Sequence, residues 1–407
     1  MTHLLGKTAQ DYLRQLSECS ESKMGVTRFP FTPEHRRANA LLTAWMEEAG
    51  LRVHMDDAGT LIGRYDAGKN TRTLLMGSHQ DSVKHGGAYD GIMGIVLPII
   101  ALQALKRRGI QLPYSVEVLA FGDEEGVRFP TALVGPRALA GTIDISVIDR
   151  KDKKGISLHS ALTSFGLEPE KISQLQRSPE NIIGFIETHI EQGPVLEHNG
   201  LPLGVVSAIC GIERHQLTFT GQSAHAGTVP MHLRKDALTA AATVTLEAEK
   251  FAIKLPDLLA TVGQLDVTPN VPNAVPGKVS MTIELRSSVD EVREKAGEML
   301  QTFAKETAQL RGLGCEVHRT YSQSATRCDP DLQLAIASAI GSLGKRVFTL
   351  PSGATHDASA MADLTPVAML FVRCKKGISH NPAEFASDED MGLAVKALMK
   401  LLCDLQP

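Results

Sequence analysis

Residues 74–82 read LLMGSHQDS, an apolar run that ends in a histidine and an aspartate. Consecutive apolar residues before a glycine predict a buried β-strand, and they place His79 and Asp81 at its end. In an open α/β sheet, the functional site forms at the carboxyl ends of the strands. This stretch therefore predicts both an α/β fold and the position of its site.

Similar apolar runs recur along the chain. Residues 116–121 read VEVLAF, residues 182–186 read IIGFI, and residues 367–372 read VAMLFV. Runs of this length and composition are typical of buried strands, and helical stretches separate them. We expect a mostly parallel sheet that is covered by helices on both faces.

Between these runs lies a segment with a different pattern. Residues 212–220 and 279–286 alternate polar and apolar side chains, which predicts strands of a sheet with one face in water. Helical patterns over residues 234–251 and 289–311 lie among them. The segment predicts an α+β unit with four antiparallel strands and two helices.

The change of pattern divides the chain into two expected domains. At 407 residues, the chain exceeds what one hydrophobic core usually serves. The α/β pattern resumes with a helix over residues 329–344, so the first domain needs both ends of the chain. We expect residues 1–207 and 326–407 to form the α/β domain and residues 208–325 to form the inserted domain.

Composition and charge exclude several classes of function. A net charge of −4 gives neither the basic field that nucleic acid requires nor a polybasic membrane anchor. The longest apolar run, residues 92–105, is too short to cross a bilayer and contains Pro98. Residues 1–22 lack the pattern of a secretory signal, and the six scattered cysteines are typical of reduced thiols. We expect a cytoplasmic protein without a nucleic-acid or membrane partner.

Six residues are candidates for a metal site. Each follows or ends an apolar run, and each offers an imidazole nitrogen or a carboxylate oxygen to a divalent cation. Three imidazoles and two carboxylates can hold two cations, and one more carboxylate can act as a base. The candidates are His79, Asp90, Glu124, Glu125, His189 and His380.

Taken singly, these residues also fit structural roles. Asp90 alone is better explained as a surface loop residue or a helix cap. Glu124 and Glu125 fit a solvated acidic loop about equally well, although buried adjacent carboxylates repel each other unless a cation or a proton compensates. A lone histidine after a strand, such as His189 or His380, is more often structural. Only the complete set points to a metal centre.

The sequence around these residues resembles a known family. Residues 189–197 read HIEQGPVLE, residues 225–231 read HAGTVPM, and residues 351–358 read PSGATHDA. These stretches resemble the hydantoinase/carbamoylase branch of the two-metal aminoacylase/carboxypeptidase superfamily, and the resemblance covers nearly the whole chain. The branch includes N-carbamoyl-L-amino acid hydrolases, β-ureidopropionases and allantoate amidohydrolases.

The resemblance implies a ligand for each position of a two-metal centre. His79 and His380 each bind one ion, and Asp90 bridges both. Glu125 and His189 complete the two sites. The implied cofactors are two divalent ions per subunit, zinc or manganese, with cobalt or nickel as alternatives. Mixed nitrogen and oxygen ligands without sulfur do not separate these metals.

Three catalytic residues are expected: the resemblance implies Glu124 and His225, and the spacing of His79 and Asp81 indicates Asp81. Glu124 is the general base, and Asp81 can accept the second N–H of the His79 imidazole and fix its tautomer. His225, in the inserted domain, reaches the active site of the partner subunit and stabilises the oxyanion. This role makes the inserted domain a dimerisation and lid domain and the protein a homodimer. A structural turn histidine is the alternative for His225.

Further residues are implied to bind the substrate. Arg286 lies on the polar face of the predicted strand, where a guanidinium group can hold a carboxylate in a bidentate manner, although most such arginines are only solvated. Arg214 favours allantoate, because carbamoyl-amino-acid hydrolases tend to carry an aromatic residue there. The implied substrate-binding residues are Gln192, Arg214, His225, Asn273, Arg286 and Gly353.

These inferences predict a metal-dependent amidohydrolase. It cleaves the ureido C–N bond of a small carboxylate substrate and releases ammonia and carbon dioxide. Allantoate, converted to ureidoglycine, is the first expected substrate; an N-carbamoyl-L-amino acid or N-carbamoyl-β-alanine is the alternative. A dipeptidase or deacylase of the superfamily conflicts with the branch-specific stretches. A non-catalytic homologue conflicts with the complete ligand set and Glu124.

Overall fold

The computed structural model of the chain describes residues 1–68 and 71–406. Lys69, Asn70 and Pro407, which belong to the expected first domain, lie outside the described residues. The chain divides into two compact units. Unit 1 comprises Met1–Ser207, Cys328–Leu350 and Ala354–Pro407, and unit 2 comprises Ala208–Arg327 with Pro351–Gly353.

Strands and helices are numbered in chain order among the described residues. The strands are β1 (Arg52–Met55), β2 (Leu61–Tyr65), β3 (Thr73–His79), β4 (Ser115–Phe121), β5 (Ile182–Ile190), β6 (Leu203–Ile209), β7 (Gly211–Thr220), β8 (Ala224–His225), β9 (Leu259–Thr268), β10 (Ala274–Val275), β11 (Lys278–Ser287), β12 (Gly314–Gln323), β13 (Thr326–Arg327), β14 (Thr349–Ser352) and β15 (Val367–Val372). The helices are α1 (Thr2–Ser17), α2 (Pro33–Glu48), α3 (Met93–Arg107), α4 (Val134–Ala140), α5 (Leu158–Phe165), α6 (Val195–His198), α7 (Ala237–Lys254), α8 (Asp290–Leu310), α9 (Pro330–Ser342), α10 (Asp357–Met361) and α11 (Asp388–Asp404).

Unit 1 is built on a sheet with a parallel centre. The strands β4, β3, β5 and β15 lie side by side and run parallel. At the edges, β2 pairs with β4, β1 pairs with β2, and β6 pairs with β15, all antiparallel. Every residue of β3, β4 and β5 is buried, as expected for strands that are covered on both faces.

Helices cover the two faces of this sheet. The helices α1, α3 and α11 pack with Val116, Val118 and Ala120 on one face. On the other face, α10 packs against β5 and β15, and α4 lies against Phe121. The predicted α/β fold with a mostly parallel, doubly covered sheet is confirmed.

The apolar run at residues 92–105 forms the buried helix α3, as predicted. Full burial of one leucine or isoleucine side chain contributes about 1.5–3 kcal/mol to folding, so this helix is a main source of stability. Within residues 1–68 and 71–406, no helix combines the length and the apolar composition that crossing a membrane requires. The six cysteines of the described structure are free thiols.

Two strands extend further than the apolar runs indicate. The strand β3 continues through His79, and β5 continues through Ile190, so His189 lies inside its strand and not after it. Gly77 interrupts the run because a Cβ atom there would lie 2.0 Å from the carbonyl oxygen of Leu119 on β4. The polar side chain of Ser78 is also satisfied inside the sheet, as described below.

A buried histidine holds the start of α2. The helix begins after Thr32, whose hydroxyl accepts the backbone N–H of His35 at 3.3 Å. The Nδ1 atom of His35 accepts the backbone N–H of Phe31 at 2.8 Å. Burial, aided by Arg28 and neighbouring arginines, lowers the pKa of His35 to about 3, so this imidazole is neutral in the folded protein.

Unit 2 contains an antiparallel sheet in the order β12-β7-β11-β9, with α7 and α8 packed on one face. In β11, the odd-numbered residues 279–285 are buried against the helices, and the even-numbered residues 280–286 are partly exposed on the other face. The helix α7 begins three residues later than its pattern indicates, because Asp236 caps it by accepting the N–H groups of Leu238 and Thr239. The role of this unit as a dimerisation and lid domain, and the boundaries 208–325, stay predictions.

Candidate metal centre and substrate-binding residues

The parallel strands of unit 1 bring the predicted ligands together at the edge of the sheet formed by the carboxyl ends of its strands. His79, the last residue of β3, lies opposite Phe121 in the register of β3 with β4. His189 lies opposite Phe371 in the register of β5 with β15. Because β4, β3, β5 and β15 are neighbours, the loop at residues 122–125, the two histidines and the segment after β15 meet there.

Asp90 lies at the centre of this edge. Its Oδ1 atom is 3.5 Å from Nε2 of His79 and 3.1 Å from Nε2 of His189. Its Oδ2 atom is 3.4 Å from Nε2 of His380. The same Nε2 atom of His380 is 3.5 Å from Oε1 of Glu125. Each oxygen of Asp90 therefore faces a different set of ligands.

These residues form two groups that share Asp90. His79, Asp90 and His189 form one, and Asp90, Glu125 and His380 form the other; in each, the ligand atoms lie within 4.8 Å of one another. Oε1 of Glu125 is buried and has no hydrogen-bond partner among the described residues. Imidazole nitrogens and carboxylate oxygens are donors that divalent cations take, so each group would hold one such ion.

Burial and close contact between carboxylates and imidazoles shift the pKa values of the residues in this centre. Burial opposes ionisation of Asp90, but His189, His380 and His79 hold its pKa well below the usual range. The hydrogen bond with Asp90 is the main cause that raises the pKa of His380 to about 9. Burial raises the pKa of Glu125 to about 7. The cluster thus retains protons that divalent cations displace when they bind.

Glu124, the predicted base, lies beside the same cluster. Its carboxylate groups with His79 and Glu125. Burial raises the pKa of Glu124 well above its usual range; His79 opposes this shift, and Glu125 and Asp357 add to it. A carboxyl group with a raised pKa can hold and release a proton near neutral pH, which is the property that a general base and acid needs.

Asp81 fixes the backbone of Glu124 and Glu125 in the loop that follows β4. Its Oδ1 atom accepts the N–H of Glu124 at 3.1 Å, and its Oδ2 atom accepts the N–H of Glu125 at 3.2 Å. Nδ1 of His79 lies 3.1 Å from the backbone carbonyl oxygen of Asp81 and 3.5 Å from its carboxylate. The carbonyl, which the sequence pattern does not predict, is therefore the closer partner of the imidazole.

Two residues that contact Asp90, Ser379 and Glu384, were not predicted from the sequence. The hydroxyl of Ser379 lies 2.7 Å from Oδ2 of Asp90 and 2.9 Å from Oε2 of Glu384. Oε1 of Glu384 accepts the backbone N–H groups of Tyr89 at 2.9 Å and Asp90 at 3.0 Å. Gln192, predicted to bind substrate, donates through Nε2 to Oδ2 of Asp90 at 2.8 Å. All these contacts orient the carboxylate that is shared by the two ligand groups.

Two further residues near His189, Glu187 and His356, were also not predicted from the sequence. The carboxylate of Glu187 accepts the hydroxyl of Ser78 at 2.6 Å and the backbone N–H of Ala358 at 2.8 Å. The ring of His356 packs edge-on against that of His189, with 4.5 Å between their centroids. The only signal for these contacts is the stretch at residues 351–358, which carried the resemblance but no role for His356.

In unit 2, three of the predicted substrate residues lie together. Arg214 and Arg286 both form ion pairs with Glu284, and Nη1 of Arg286 donates to the carbonyl oxygen of Gly353. Glu284 was not among the predicted residues. Its only sequence signal is that it shares the polar face of β11 with Arg286.

The remaining pair of unit 2, His225 and Asn273, lies in a separate place in this unit. The strand β8 pairs with β10, and the backbone N–H of Ala226 donates to the carbonyl oxygen of Asn273 at 3.0 Å. His225 is exposed, and its Nδ1 atom accepts the backbone N–H of Gly227 at 3.1 Å. Nε2 of the imidazole takes no part in this backbone contact.

The fold and the cluster agree with the comparison to known families. The sequence profile of Peptidase family M20/M25/M40 matches residues 73–404. The chain belongs to this family, and the predicted membership is confirmed. The family is dinuclear and metal-dependent, and the two groups around Asp90 supply candidate ligands for such a centre.

Named relatives are similar over almost the entire chain. An N-carbamoyl-L-amino acid amidohydrolase of Geobacillus stearothermophilus is 38% identical over 395 residues, which are 97% of this chain and 97% of that protein. An allantoate deiminase of Arabidopsis thaliana is 40% identical over 423 residues, covering 96% of this chain and 80% of that protein. Both names agree with the predicted class of enzyme, a hydrolase that acts on non-peptide C–N bonds.

A solved structure is similar in fold over the same extent. It is an amidase of the hydantoinase/carbamoylase family from Burkholderia multivorans, with a TM-score of 0.92 and 31% sequence identity. The match covers 98% of this chain and 97% of that chain. This likeness agrees with the branch that the stretches at residues 189–197 and 351–358 indicate.

Proposed function

We propose that this protein hydrolyses the ureido C–N bond of a small carboxylate substrate and releases ammonia and carbon dioxide. The observation that carries the reaction class is the arrangement around Asp90, whose two oxygens face three imidazoles and which belongs to both ligand groups. Such a set suits a two-metal hydrolase. The ureido group is proposed because relatives of 38% and 40% identity are named for ureido substrates.

Each part of the cluster has a proposed role. His79, Asp90 and His189 would hold one divalent ion, and Asp90, Glu125 and His380 the other. When bound, two such ions supply Lewis acidity and lower the pKa of water towards 7. We favour zinc or manganese, with cobalt or nickel as alternatives, because the donor set contains nitrogen and oxygen but no sulfur.

Glu124 is the proposed general base and acid. Its backbone is held by Asp81, and its carboxylate lies with His79 and Glu125. In this position it takes a proton from the attacking water and returns it to the leaving nitrogen. Proton transfer of this kind contributes about 10²–10⁴-fold to a rate. Loss of Glu124 therefore removes turnover without removing a ligand.

Allantoate is the first proposed substrate, and an N-carbamoyl-L-amino acid is the second. Arg286 is proposed to hold the substrate carboxylate, with Asn273, Gln192 and Gly353 as further substrate contacts. Arg214 supports allantoate, because a second guanidinium group offers donors to the carbonyl oxygen of a second ureido group. One relative is named for N-carbamoyl-L-amino acids and another for allantoate, which supports both as candidate substrates.

The active enzyme is proposed to be a cytoplasmic homodimer. His225 is proposed to act in the partner subunit's site, where it would stabilise the oxyanion. Its exposure in β8 supports this role, because a side chain that reaches another subunit has to be accessible within its own. Sedimentation of the purified protein tests the dimer directly.

Release of ammonia tests the proposed reaction. Metal-loaded enzyme would be supplied with allantoate, N-carbamoyl-L-alanine and N-carbamoyl-β-alanine, with a dipeptide and an N-acetyl amino acid as controls. We expect turnover of a ureido acid and little of either control. Turnover of the dipeptide alone, or of no ureido acid with Mn²⁺ or Zn²⁺ present, would overturn the proposal.

A further inference from the structure

Glu284 lies between two arginines because the register of the sheet places it there. It is the direct cross-strand partner of Arg214 in the pairing of β11 with β7. Arg286 is two residues further along β11 and therefore points to the same face. On the other side of Arg214, the pairing of β7 with β12 brings in Tyr321. This exposed face of the sheet thus carries two guanidinium groups with one carboxylate between them.

Each oxygen of Glu284 takes one arginine. Oε1 accepts Nε of Arg286 at 2.8 Å and lies 2.7 Å from Nη2 of the same group. Oε2 accepts Nε of Arg214 at 3.0 Å and also contacts Nη2 of that group. The carboxylate therefore uses the same edge of both guanidinium groups. Nη1 of Arg286, on the other edge of its guanidinium group, donates to the carbonyl oxygen of Gly353.

The charge of this cluster follows from its members. Two guanidinium groups and one carboxylate leave one net positive charge in the cluster. Lys278, six residues before Glu284 on β11, shares this face, and Asp266 and Glu316 lie opposite Ser280 and Thr218. Those positions are four residues from Glu284 and Arg214, about 13 Å along each strand. At that distance they are screened at physiological ionic strength, whereas Glu284 is in direct contact.

We propose that Glu284 is a specificity-determining residue that restricts this face to substrates with one carboxylate. By pairing with Arg214 and Arg286 together, it holds the guanidinium groups in place and cancels one of their two charges. A substrate with a single carboxylate matches the remaining charge. A second carboxylate would compete with Glu284 for the arginines and meet its repulsion. This inference rests on the proposed function.

A pair of nearly isosteric substrates separates charge from shape. N-carbamoyl-L-asparagine and N-carbamoyl-L-aspartate differ in one amide against one carboxylate. The measured quantity is the ratio of kcat/KM for the aspartate compound to kcat/KM for the asparagine compound. We expect Glu284→Gln to raise this ratio at least tenfold, mainly through a lower KM for the aspartate compound. Glu284→Asp keeps the charge and should leave the ratio within threefold of the unsubstituted enzyme.

The ratio distinguishes specificity from a structural defect. If Glu284 only supports the fold, Glu284→Gln lowers kcat/KM for both substrates equally and the ratio stays the same, which overturns the proposal. Should Glu284→Gln fail to fold, Arg214→Gln provides the opposite test. It removes one positive charge and should lower the ratio at least threefold; an unchanged ratio counts against the proposal.

Failure of the proposed function gives a different result. If the unsubstituted enzyme releases no ammonia from any ureido acid, that function and this inference both fall. If it is active and the ratio does not respond to Glu284→Gln, only this inference falls. Salt gives a further check, because 0.5 M NaCl screens charge and should reduce the effect of Glu284→Gln on the ratio.

Discussion

The carboxylate of Glu384 accepts the backbone N–H of Asp90 at 3.0 Å, although the two residues are 294 positions apart in the chain. The same carboxylate oxygen accepts the N–H of Tyr89, and the hydroxyl of Ser379 lies between Glu384 and Asp90. Glu384 thus links the turn before α3 to the segment that carries His380. It sets the orientation of the residue shared by both ligand groups without being a ligand itself.

Removal of Glu384 should weaken metal binding. We expect Glu384→Ala to lower the affinity for Zn²⁺ or Mn²⁺ by about 10–100-fold, because residues that orient a ligand have effects of this size. Competition with a chromophoric chelator measures the affinity. Glu389→Ala, at an exposed position of α11, is the matched control and should bind metal normally. Equal affinities in the two variants would contradict the role of Glu384.

Asp81 should act on the rate more than on substrate binding. Its two oxygens hold the N–H groups of Glu124 and Glu125, and an asparagine can accept only one of these bonds. We expect Asp81→Asn to lower kcat by about 10–100-fold with little change in KM, because the base loses its position. Metal content, measured by atomic emission, should stay near that of the unsubstituted protein. A change confined to KM would show that Asp81 serves substrate binding.

The elements that the sequence predicts well are those with a strong local pattern. Buried parallel strands are continuous apolar runs, so β4 and β15 are found within one residue of their predicted limits. The end of β5 is different. Polar residues interrupt the run after Ile186, but pairing with β15 continues to Ile190 and keeps His189 in the ladder. Only the neighbouring strand decides where that strand ends.

The metal ligands are predictable for a related reason, because each is attached to a recognisable strand or motif. Ser379, Glu384 and Glu284 are not. Their partners come from distant segments: the contact of Ser379 with Asp90 spans 289 residues, and that of Glu284 with Arg214 spans 70. Neither propensity nor periodicity contains this information, because the sheet register and the loop path determine the contacts.

Glu124 and Glu125 are adjacent but should fail in different ways. Glu124→Gln removes the proposed base and should lower kcat by about 10²–10⁴-fold while two metal ions stay bound. Glu125→Gln replaces a proposed ligand and should reduce metal content as well as rate. Parallel measurement of ammonia release and metal stoichiometry separates the two. If Glu124→Gln loses metal and Glu125→Gln does not, the two roles have been assigned the wrong way round.

The buried imidazole of His35 should make the folded protein sensitive to acid. Its pKa is lowered to about 3, whereas the value in an unfolded chain is about 6.5, so the unfolded state binds one more proton between these values. The contribution of the neutral His35 imidazole to the free energy of unfolding is fully present above pH 6.5. It falls by about 1.4 kcal/mol per pH unit as the pH is lowered from 6.5 towards 3. Urea unfolding at pH 7.5, 6.0 and 5.0 should show this loss, and His35→Asn should reduce its slope. His54→Asn, at an exposed histidine of β1, should not. Parallel curves for all three proteins would exclude His35 as the source.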